Sequence, residues 1–154
     1  MRKTTCEVSK NTHDQALKEA ASSNPNKELV QSLIEKAHQD GDRRASYALA
    51  TWYLHGHGEY PANIKLATKL LKSATEADVA DAHFDLAVSY ELGYGIRKNY
   101  RAAYRHYLAA ALNGDKESHA AVGRCLYLGI GVDRDRKIAE IWFRRADALR
   151  VTDR

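Results

Sequence analysis

The feature that most constrains this chain is a pair of glycines that recurs at nearly constant spacing. Gly-X-Gly occurs at 56–58, 93–95 and 129–131, which gives offsets of 37 and 36 residues. Such a period is typical of repeat architectures, in which every unit is one supersecondary element. A phosphate-binding glycine loop, in contrast, follows a strand and opens a helix. Because each pair here follows a helical pattern in the same frame, the sequence predicts three equivalent turns.

An apolar frame precedes each glycine pair. Its four positions are separated by four, one and three residues, so they lie on one face of a helix, which we call helix A. The frame residues are Ala45, Leu49, Ala50 and Tyr53 in repeat one, Ala82, Leu86, Ala87 and Tyr90 in repeat two, and Ser118, Val122, Gly123 and Leu126 in repeat three.

A second helix, helix B, is predicted after each glycine pair. Its N-cap is Asn63, Asn99 or Asp135, whose side-chain oxygen can accept a hydrogen bond from the first helical turn. Each helix B is followed by a position where a left-handed backbone is expected. Gly41 and Gly114 stand there, and Asp78 does so in repeat one, where a side chain costs about 1 kcal/mol. The frame residues of helix B are Ala67, Leu71 and Ala74, then Ala103, Tyr107 and Ala110, then Ala139, Phe143 and Ala146.

These patterns predict an all-α protein, a short right-handed α-α superhelix of three helical hairpins. A single hairpin is too thin to bury its apolar face, so neighbouring hairpins must stack. The predicted helices are 43–55 and 63–76, 80–92 and 99–113, and 117–128 and 135–150, in repeats of about 42–78, 79–114 and 115–150. Residues 13–41 form an N-terminal capping hairpin with a weaker first helix at 13–22, residues 1–12 are expected to be disordered, and residues 151–154 form a tail.

The recurring positions resemble those of the Sel-1-like repeat (SLR) family, which is related to tetratricopeptide repeats. Repeat three carries the pattern in GIGVDRDRKIAEIWFRRA, and repeat two carries it from Ala82 to Gly114. The resemblance implies an α-solenoid that binds other proteins. Repeat one departs from the pattern at Leu70, Leu71 and Asp78 and has one extra residue in its turn, and repeat three departs from it at Leu126. The chain lacks the cysteines of a secreted branch linked to β-lactam binding, so that activity is not carried over.

Charge is unevenly distributed along the chain, which has a net charge of +4. Residues 1–95 carry 11 Lys and Arg against 13 Asp and Glu, whereas residues 96–154 carry 13 against 7. Nucleic-acid binding through this basic half is the less favoured alternative, because the aromatic residues among the cations, Trp142 and Phe143, occupy packing positions of helix B. The cations in question are Arg134, Arg136, Lys137, Arg144, Arg145 and Arg150.

The sequence predicts neither catalysis nor a cofactor or metal. His55 and His57 form the closest histidine pair, and two such ligands in a turn are too few for a metal site. His83 lies two residues from both Asp81 and Asp85 on helix A, so its side chain diverges from theirs and no dyad is expected. We therefore expect a non-enzymatic protein.

The favoured function is a bacterial-type adaptor or scaffold that binds a partner protein through the concave surface of its A helices. The alternative is a cytoplasmic immunity protein that neutralises a toxic effector by direct binding. Exposed aromatic and arginine side chains among charged neighbours are typical of interface centres. The candidate residues are Arg44, Tyr47, Thr51, His55, Asp81, Phe84, Asp85, Val88, Glu91, Glu117, Arg124 and Tyr127.

A second contact surface is predicted at the last repeat. No further hairpin pattern follows helix 135–150, so Ile138, Ile141, Trp142 and Leu149 are expected to be available for packing on a second copy or on a partner. The sequence thus predicts association through the C-terminal repeat, either as a homodimer or with a partner protein.

The remaining expectations concern the compartment. Cys6 and Cys125 show no disulfide or metal spacing, and neither a signal peptide nor a membrane-spanning stretch is recognisable. The sequence therefore predicts a cytoplasmic protein with free thiols and no membrane partner.

Overall fold

The protein is built of α-helices in two compact units. The computed structural model describes the backbone of residues 5–151 and the side chains of residues 11–150. Apart from an isolated bridge between His57 and Tyr60, the regular elements in this part of the chain are all helices. One unit extends to Ala77 and the other begins at Asp78. The predicted all-α fold of helical hairpins is confirmed.

The first unit contains α1 (Thr5–Ala20), α2 (Lys27–Gln39), α3 (Arg43–His55) and α4 (Ile64–Thr75). The second contains α5 (Ala80–Leu92), α6 (Tyr100–Leu112), α7 (Glu117–Leu128) and α8 (Arg136–Val151). Consecutive helices form the hairpins α1–α2, α3–α4, α5–α6 and α7–α8. The bounds of α3 to α8 lie within one residue of those predicted from the sequence.

The N-terminal helix differs from the prediction. It begins at Thr5, so the helix includes most of the segment that was expected to be disordered, and it ends at Ala20 rather than at 22. Residues 1–4 lie outside the described residues, as do 152–154 of the predicted tail. Within this helix, Thr12, His13 and Ala16 share one face and are all buried. Two of these three side chains are polar, so the buried face shows no apolar pattern.

The three helix A to helix B turns are closed by the same pair of hydrogen bonds. The backbone N–H of each N-cap residue donates to the carbonyl oxygen of the fourth helix A frame residue, and its side-chain oxygen accepts from the first turn of helix B. The backbone bonds run from Asn63 to Tyr53 (2.7 Å), from Asn99 to Tyr90 (2.9 Å) and from Asp135 to Leu126 (2.9 Å). The capping bonds come from the N–H groups of Leu66, Ala102 and Ile138.

The two turns of the second unit lie against each other. A Cβ added to Gly131, in the turn between α7 and α8, would come within 2.0 Å of the carbonyl oxygen of Tyr100, the first residue of α6. Only glycine permits such a close backbone approach. The turn that starts α6 and the turn that starts α8 therefore form one continuous edge.

In the first unit, the longer turn between α3 and α4 is held by aromatic contacts. His57 and Tyr60 exchange two backbone hydrogen bonds. These bonds fold the longer turn back on itself. The Tyr60 ring packs 5.1 Å from Trp52 and 5.4 Å from Tyr53, between ring centroids. Its hydroxyl donates to Glu35 of α2, and burial together with that carboxylate raises the pKa of Tyr60.

The contacts between successive hairpins differ in the two units. Between α2 and α3, His38 Nδ1 lies 2.9 Å from Ser46 Oγ, and burial lowers the pKa of His38. Between α6 and α7 the contact is apolar, because Tyr104, Leu108 and Ala111 of α6 pack into the cluster that includes Val122 and Cys125 of α7. We call the helix B positions of Tyr104, Leu108 and Ala111 the stacking positions.

The position after each helix B has the left-handed backbone expected from the sequence. The φ angle is +91° at Gly41, +52° at Asp78 and +100° at Gly114. Asp78 is the only non-glycine residue with positive φ among the described residues. This conformation brings a side chain close to its own carbonyl group and is therefore strained for Asp78.

We predict that Asp78→Gly raises the free energy of unfolding by about 0.5–1 kcal/mol, because glycine removes this strain. Asp78→Ala should lower it by a similar amount, since alanine tolerates positive φ less well than aspartate. Urea unfolding followed by circular dichroism measures both. The Asp78 carboxylate also lies 3.6 Å from His83 Nε2, so equal destabilisation by both variants would show that this contact outweighs the strain.

Helix A and helix B of repeat three are tightly packed at Gly123. A Cβ at this position would lie 2.8 Å from two carbons of the Phe143 ring. The corresponding residues of repeat one are Ala50 and Leu71, both buried. Repeat three thus pairs a smaller helix A residue, Gly123, with a larger helix B residue, Phe143, than repeat one does with Ala50 and Leu71.

We predict that Gly123→Ala destabilises the protein by about 1–2 kcal/mol in the native sequence, because overpacking outweighs the gain in helix propensity. With Phe143→Leu already present, the same change should stabilise by about 0.5–1 kcal/mol. A double-mutant cycle of thermal or urea unfolding measures the difference. Additive effects of the two substitutions would contradict the proposed contact.

Candidate functional site

The second unit carries an open groove of about 590 Å³ between its A helices and the end of α8. Helix A of both repeats contributes to it, so it lies on the surface that the sequence predicted for partner binding. The lining residues are Phe84, Tyr107, Lys116, Glu117, Ala120, Ala121, Arg124, Ala146, Leu149 and Arg150.

The floor of the groove is apolar. Phe84 of α5 packs edge-on against Tyr107 of α6, with 5.7 Å between the ring centroids and 62° between the planes. Ala120 and Ala121 of α7 leave space beside these rings because their side chains are short. The floor can therefore receive an apolar side chain of a ligand.

A bidentate ion pair fixes one wall of the groove. Arg124 Nη1 and Nη2 donate to Glu91 Oε1 and Oε2, each at 2.8 Å, and Tyr107 Oη donates to Glu91 Oε2 at 2.7 Å. The Arg124 hydrogen bonds, followed by that of Tyr107, hold the pKa of Glu91 below its usual value despite burial. Burial and the Glu91 carboxylate raise the pKa of Tyr107. The three side chains are thus held in one arrangement before any ligand binds.

The rim of the groove is charged. Lys116, Arg124 and Arg150 contribute cations, and Glu117 contributes a carboxylate. The Arg124 charge is balanced by Glu91, so the other charged side chains of the rim are Lys116, Glu117 and Arg150. An apolar floor with a charged rim is the composition of a protein-binding site.

Other reactive side chains are buried in the packing between helices. Burial raises the pKa of the Cys125 thiol to about 11, so it is held as the unreactive thiol. His83 Nδ1 lies 2.9 Å from His106 Nδ1 between α5 and α6. Among the described residues, no three His, Cys, Asp or Glu side chains are grouped as metal ligands.

The predicted binding residues of the second unit either belong to the groove, pack into the hydrophobic cluster, or lie outside the groove. Phe84, Glu117 and Arg124 line the groove, and Glu91 supports Arg124 from behind. Val88 is instead packed against the hydrophobic cluster. Tyr127 is exposed outside the groove, with the Arg136 guanidinium 5.0 Å from its ring centroid. Asp81 is exposed and Asp85 half-buried on α5, and neither lines the groove.

The predicted residues of the first unit lie on α3. Arg44 is already engaged there, because it forms ion pairs with Asp42 at 2.8 Å and with Asp14 at 3.0 Å. The Thr51 hydroxyl donates to the carbonyl of Ala48 at 2.7 Å. Tyr47 is half-buried and His55 is exposed.

The predicted C-terminal association face is only partly apolar. Ile138 and Ile141 are exposed, whereas Trp142 is half-buried and packs 5.5 Å from the His119 ring. Leu149 borders the groove rather than the hollow beside Ile141. The residues of α8 at the stacking positions are Glu140, Arg144 and Asp147, 36 residues after Tyr104, Leu108 and Ala111. Arg144 Nε lies 3.5 Å from Glu140, and both side chains are well exposed.

The basic residues of the C-terminal repeat do not form one stripe. Arg134, Arg136 and Lys137 stand where α8 begins, Arg145 lines a hollow beside Trp142, and Arg150 lines the groove. Phe143 packs against the hydrophobic cluster, as the repeat frame predicted.

Seven groove residues are absent from the predicted concave face, and three of them are the small residues Ala120, Ala121 and Ala146. Tyr107 was assigned to the core, and its ring is indeed buried, although its hydroxyl reaches the wall of the groove. Leu149 was assigned to the association face. Lys116 directly precedes α7, and Arg150 lies in the last turn of α8. Neither stands at a repeat position that distinguishes it from other surface cations.

Comparisons of the sequence and of the structure with known proteins indicate the same repeat family. A family model described as Sel1 repeat matches residues 43–79, 80–115 and 116–146. A Sel1 repeat protein from Oxalobacter formigenes is similar in structure, with a TM-score of 0.77 and 27% identity over 91% of this chain and 59% of its own. A protective antigen of uropathogenic Escherichia coli that displays an SLR fold gives a TM-score of 0.82 at 22% identity over 92% of this chain and 30% of its own.

A third similar structure is cysteine-rich protein B of Helicobacter pylori, with a TM-score of 0.58 and 24% identity over 75% of this chain and 87% of its own. The two structures with identities below 25% support the fold alone. This chain spans less than two thirds of the Oxalobacter formigenes and Escherichia coli proteins.

We predict that Glu91→Gln lowers the free energy of unfolding by about 1 kcal/mol at neutral pH, because the charge opposite half-exposed Arg124 is lost. Glutamine still offers an oxygen to the Tyr107 hydroxyl, so the change isolates the ion pair. The folded-state pKa of Glu91 is lowered, so its contribution is present above its unfolded pKa and is lost as the pH falls below about 4.5.

Urea unfolding at several pH values tests this prediction. The difference between wild type and Glu91→Gln should shrink as the pH falls through this range. Glu117→Gln, at an exposed carboxylate of the same groove, serves as the control and should leave stability nearly unchanged. A difference that stays constant from pH 7 to about 3 would contradict the assignment.

Proposed function

Because the chain belongs to the Sel1 repeat family, we propose that it is a non-enzymatic binding module that holds a segment of a partner protein in the groove of its second unit. Sel1-repeat proteins are generally protein–protein interaction modules. The family is a repeat scaffold without catalytic machinery of its own. The partner therefore has to be recognised by shape and charge.

The observation that carries this proposal is the Glu91–Arg124–Tyr107 network beside an apolar floor. Its three polar side chains satisfy one another, so they need not be reorganised when a ligand arrives. Phe84 and Tyr107 then offer an aromatic surface in a fixed position. A rigid aromatic surface binds with a small entropic cost and is the usual centre of a protein interface.

The groove suits a short segment of a partner better than a flat surface. Its volume is that of a pocket for a few side chains, and its lining comes from the four helices of one unit. An apolar side chain would contact Phe84, and acidic groups on either side would lie near Lys116 and Arg150. The solenoid scaffold keeps these helices in place.

Two roles remain for such a module, adaptor or immunity protein, and affinity distinguishes them. An immunity protein has to inactivate one toxic effector and should bind it with a Kd of about 1 nM or below, whereas an adaptor usually binds more weakly. The same groove can serve either role. The adaptor is the role we favour, because an open groove with a mostly balanced rim is suited to moderate affinity.

We predict that Ala120→Arg lowers the affinity for the cognate partner at least about tenfold, because the long side chain fills the groove without removing a core residue. The partner would first be identified by affinity purification from the native cell with mass spectrometry. Isothermal titration calorimetry with the purified partner then gives the Kd of each variant, and circular dichroism checks the fold.

Tyr127→Ala is the matched control, because Tyr127 is an exposed helix A residue of the same repeat outside the groove. It should leave the Kd unchanged. A partner that tolerates Ala120→Arg but loses affinity on Tyr127→Ala or Tyr47→Ala would move the binding surface elsewhere.

A further inference from the structure

The second unit exposes apolar and basic side chains together along one edge, where its turns lie. We call the segments 92–101 and 127–137 the turn edge. They are neighbours because the Gly131 turn is packed directly on the backbone of Tyr100 and Arg101. Helices α5 and α7 end at this edge, and α6 and α8 begin there. The edge is separate from the groove, since none of its residues lines it.

Five large apolar or aromatic side chains are exposed on the turn edge. Their exposed fractions range from 43% to 57%. The two leucines occupy the same place, the last residue of helix A, in successive repeats. The five residues are Leu92, Tyr94, Tyr100, Tyr127 and Leu128.

Six cations accompany these side chains. Arg97, Arg101, Arg134 and Lys137 are exposed, and the structure shows no carboxylate partner for them among the described side chains. Lys98 lies 5.7 Å above the Tyr100 ring centroid, and Arg136 lies over Tyr127. The positive ends of the α6 and α8 dipoles point to the same edge.

Few acidic groups oppose these cations. Asp133 is exposed on the edge, and Asp135 is occupied as the N-cap of α8. Glu91, next to Leu92, is bound to Arg124 and Tyr107. The edge therefore has a clear positive excess.

We propose that the turn edge binds the surface of a bilayer that contains anionic lipids. Anionic headgroups attract the cations, tyrosine rings are favoured at the headgroup level, and leucine side chains gain by entering the acyl boundary. A nucleic acid would use the cations and the tyrosines but would leave the leucines in water. A bilayer interface accommodates all three kinds of side chain, and this is why it fits better.

This attachment is peripheral, since among the described residues no helix is long and apolar enough to cross a membrane. It is reversible, because each contribution is small and the electrostatic part is screened by salt. The proposal does not depend on the partner groove: the edge and the groove can be altered separately. It also revises the sequence-based expectation that no membrane partner exists, which considered only spanning segments.

Co-sedimentation with large unilamellar vesicles tests the proposal. One set contains equal parts of phosphatidylglycerol and phosphatidylcholine, and the other contains phosphatidylcholine alone, both at about 0.1 M salt. The wild-type chain should sediment with the anionic vesicles and not with the neutral ones. Raising the salt to about 0.5 M should release much of it.

Two double variants separate the contributions. Arg97→Gln with Arg134→Gln should weaken partitioning about 25-fold, since each cation near an anionic surface contributes about a fivefold factor. Leu92→Ser with Leu128→Ser should weaken it by at least about tenfold, because two inserted apolar side chains are lost.

The opposite end of the same helices provides matched controls. Arg144→Gln with Arg145→Gln removes two exposed cations from the half of α8 that is far from the turn edge and outside the groove, and Leu112→Ser removes a highly exposed leucine at the end of α6. Both controls should partition like the wild type. Circular dichroism should show that all variants keep the fold.

Three results would overturn the proposal. The first is no binding to the anionic vesicles. The second is an equal loss in the control variants, which would indicate a non-specific charge effect. The third is unchanged vesicle binding after the leucine substitutions together with equal binding to polyglutamate or a single-stranded oligonucleotide, which would make the edge a general polyanion site.

Discussion

Contact between helices through alanine is the constraint on which the rest of this structure depends. Ala50, Ala67, Ala87, Ala103 and Ala139 have no exposed surface, and each stands in the frame where helix A meets helix B. Since a methyl group cannot hold two helices apart, the backbones approach closely and the large side chains are displaced to the neighbouring positions. Tyr107 and Phe143 occupy such positions, and the first of them reaches the groove. The site is thus a consequence of how the hairpin packs.

Much of the fold could be predicted from the sequence because the signals are local and repeated. The frame spacing, the N-cap residues and the left-handed positions each recur three times, so the bounds of α3 to α8 agree within one residue. The same reasoning failed for α1, where the buried face consists of Thr12, His13 and Ala16. Polar side chains become suitable core residues only when a particular neighbour is present, and a single sequence does not show that neighbour.

The site was less predictable because it depends on pairs that are distant in the chain. Glu91 and Arg124 are 33 residues apart, and both were expected to face a partner. Their mutual ion pair, which no repeat position indicates, fixes one wall of the groove. The cations of the last repeat are close in sequence, yet they lie at the start of α8, in the hollow beside Trp142 and at the groove. Periodicity shows on which face of a helix a side chain lies. Three-dimensional coordinates are needed to see which charged side chains form ion pairs.

The stacking positions of the last helix affect how such a chain can evolve in length. In α6 these positions are Tyr104, Leu108 and Ala111, which receive the following helix A, whereas in α8 they are Glu140, Arg144 and Asp147. A tandem duplication of the final repeat would place a new helix A against three charged side chains, and burying them without partners is unfavourable. Copying repeat two would supply a compatible surface at once. An additional hairpin is therefore accommodated more easily after α6 than after α8.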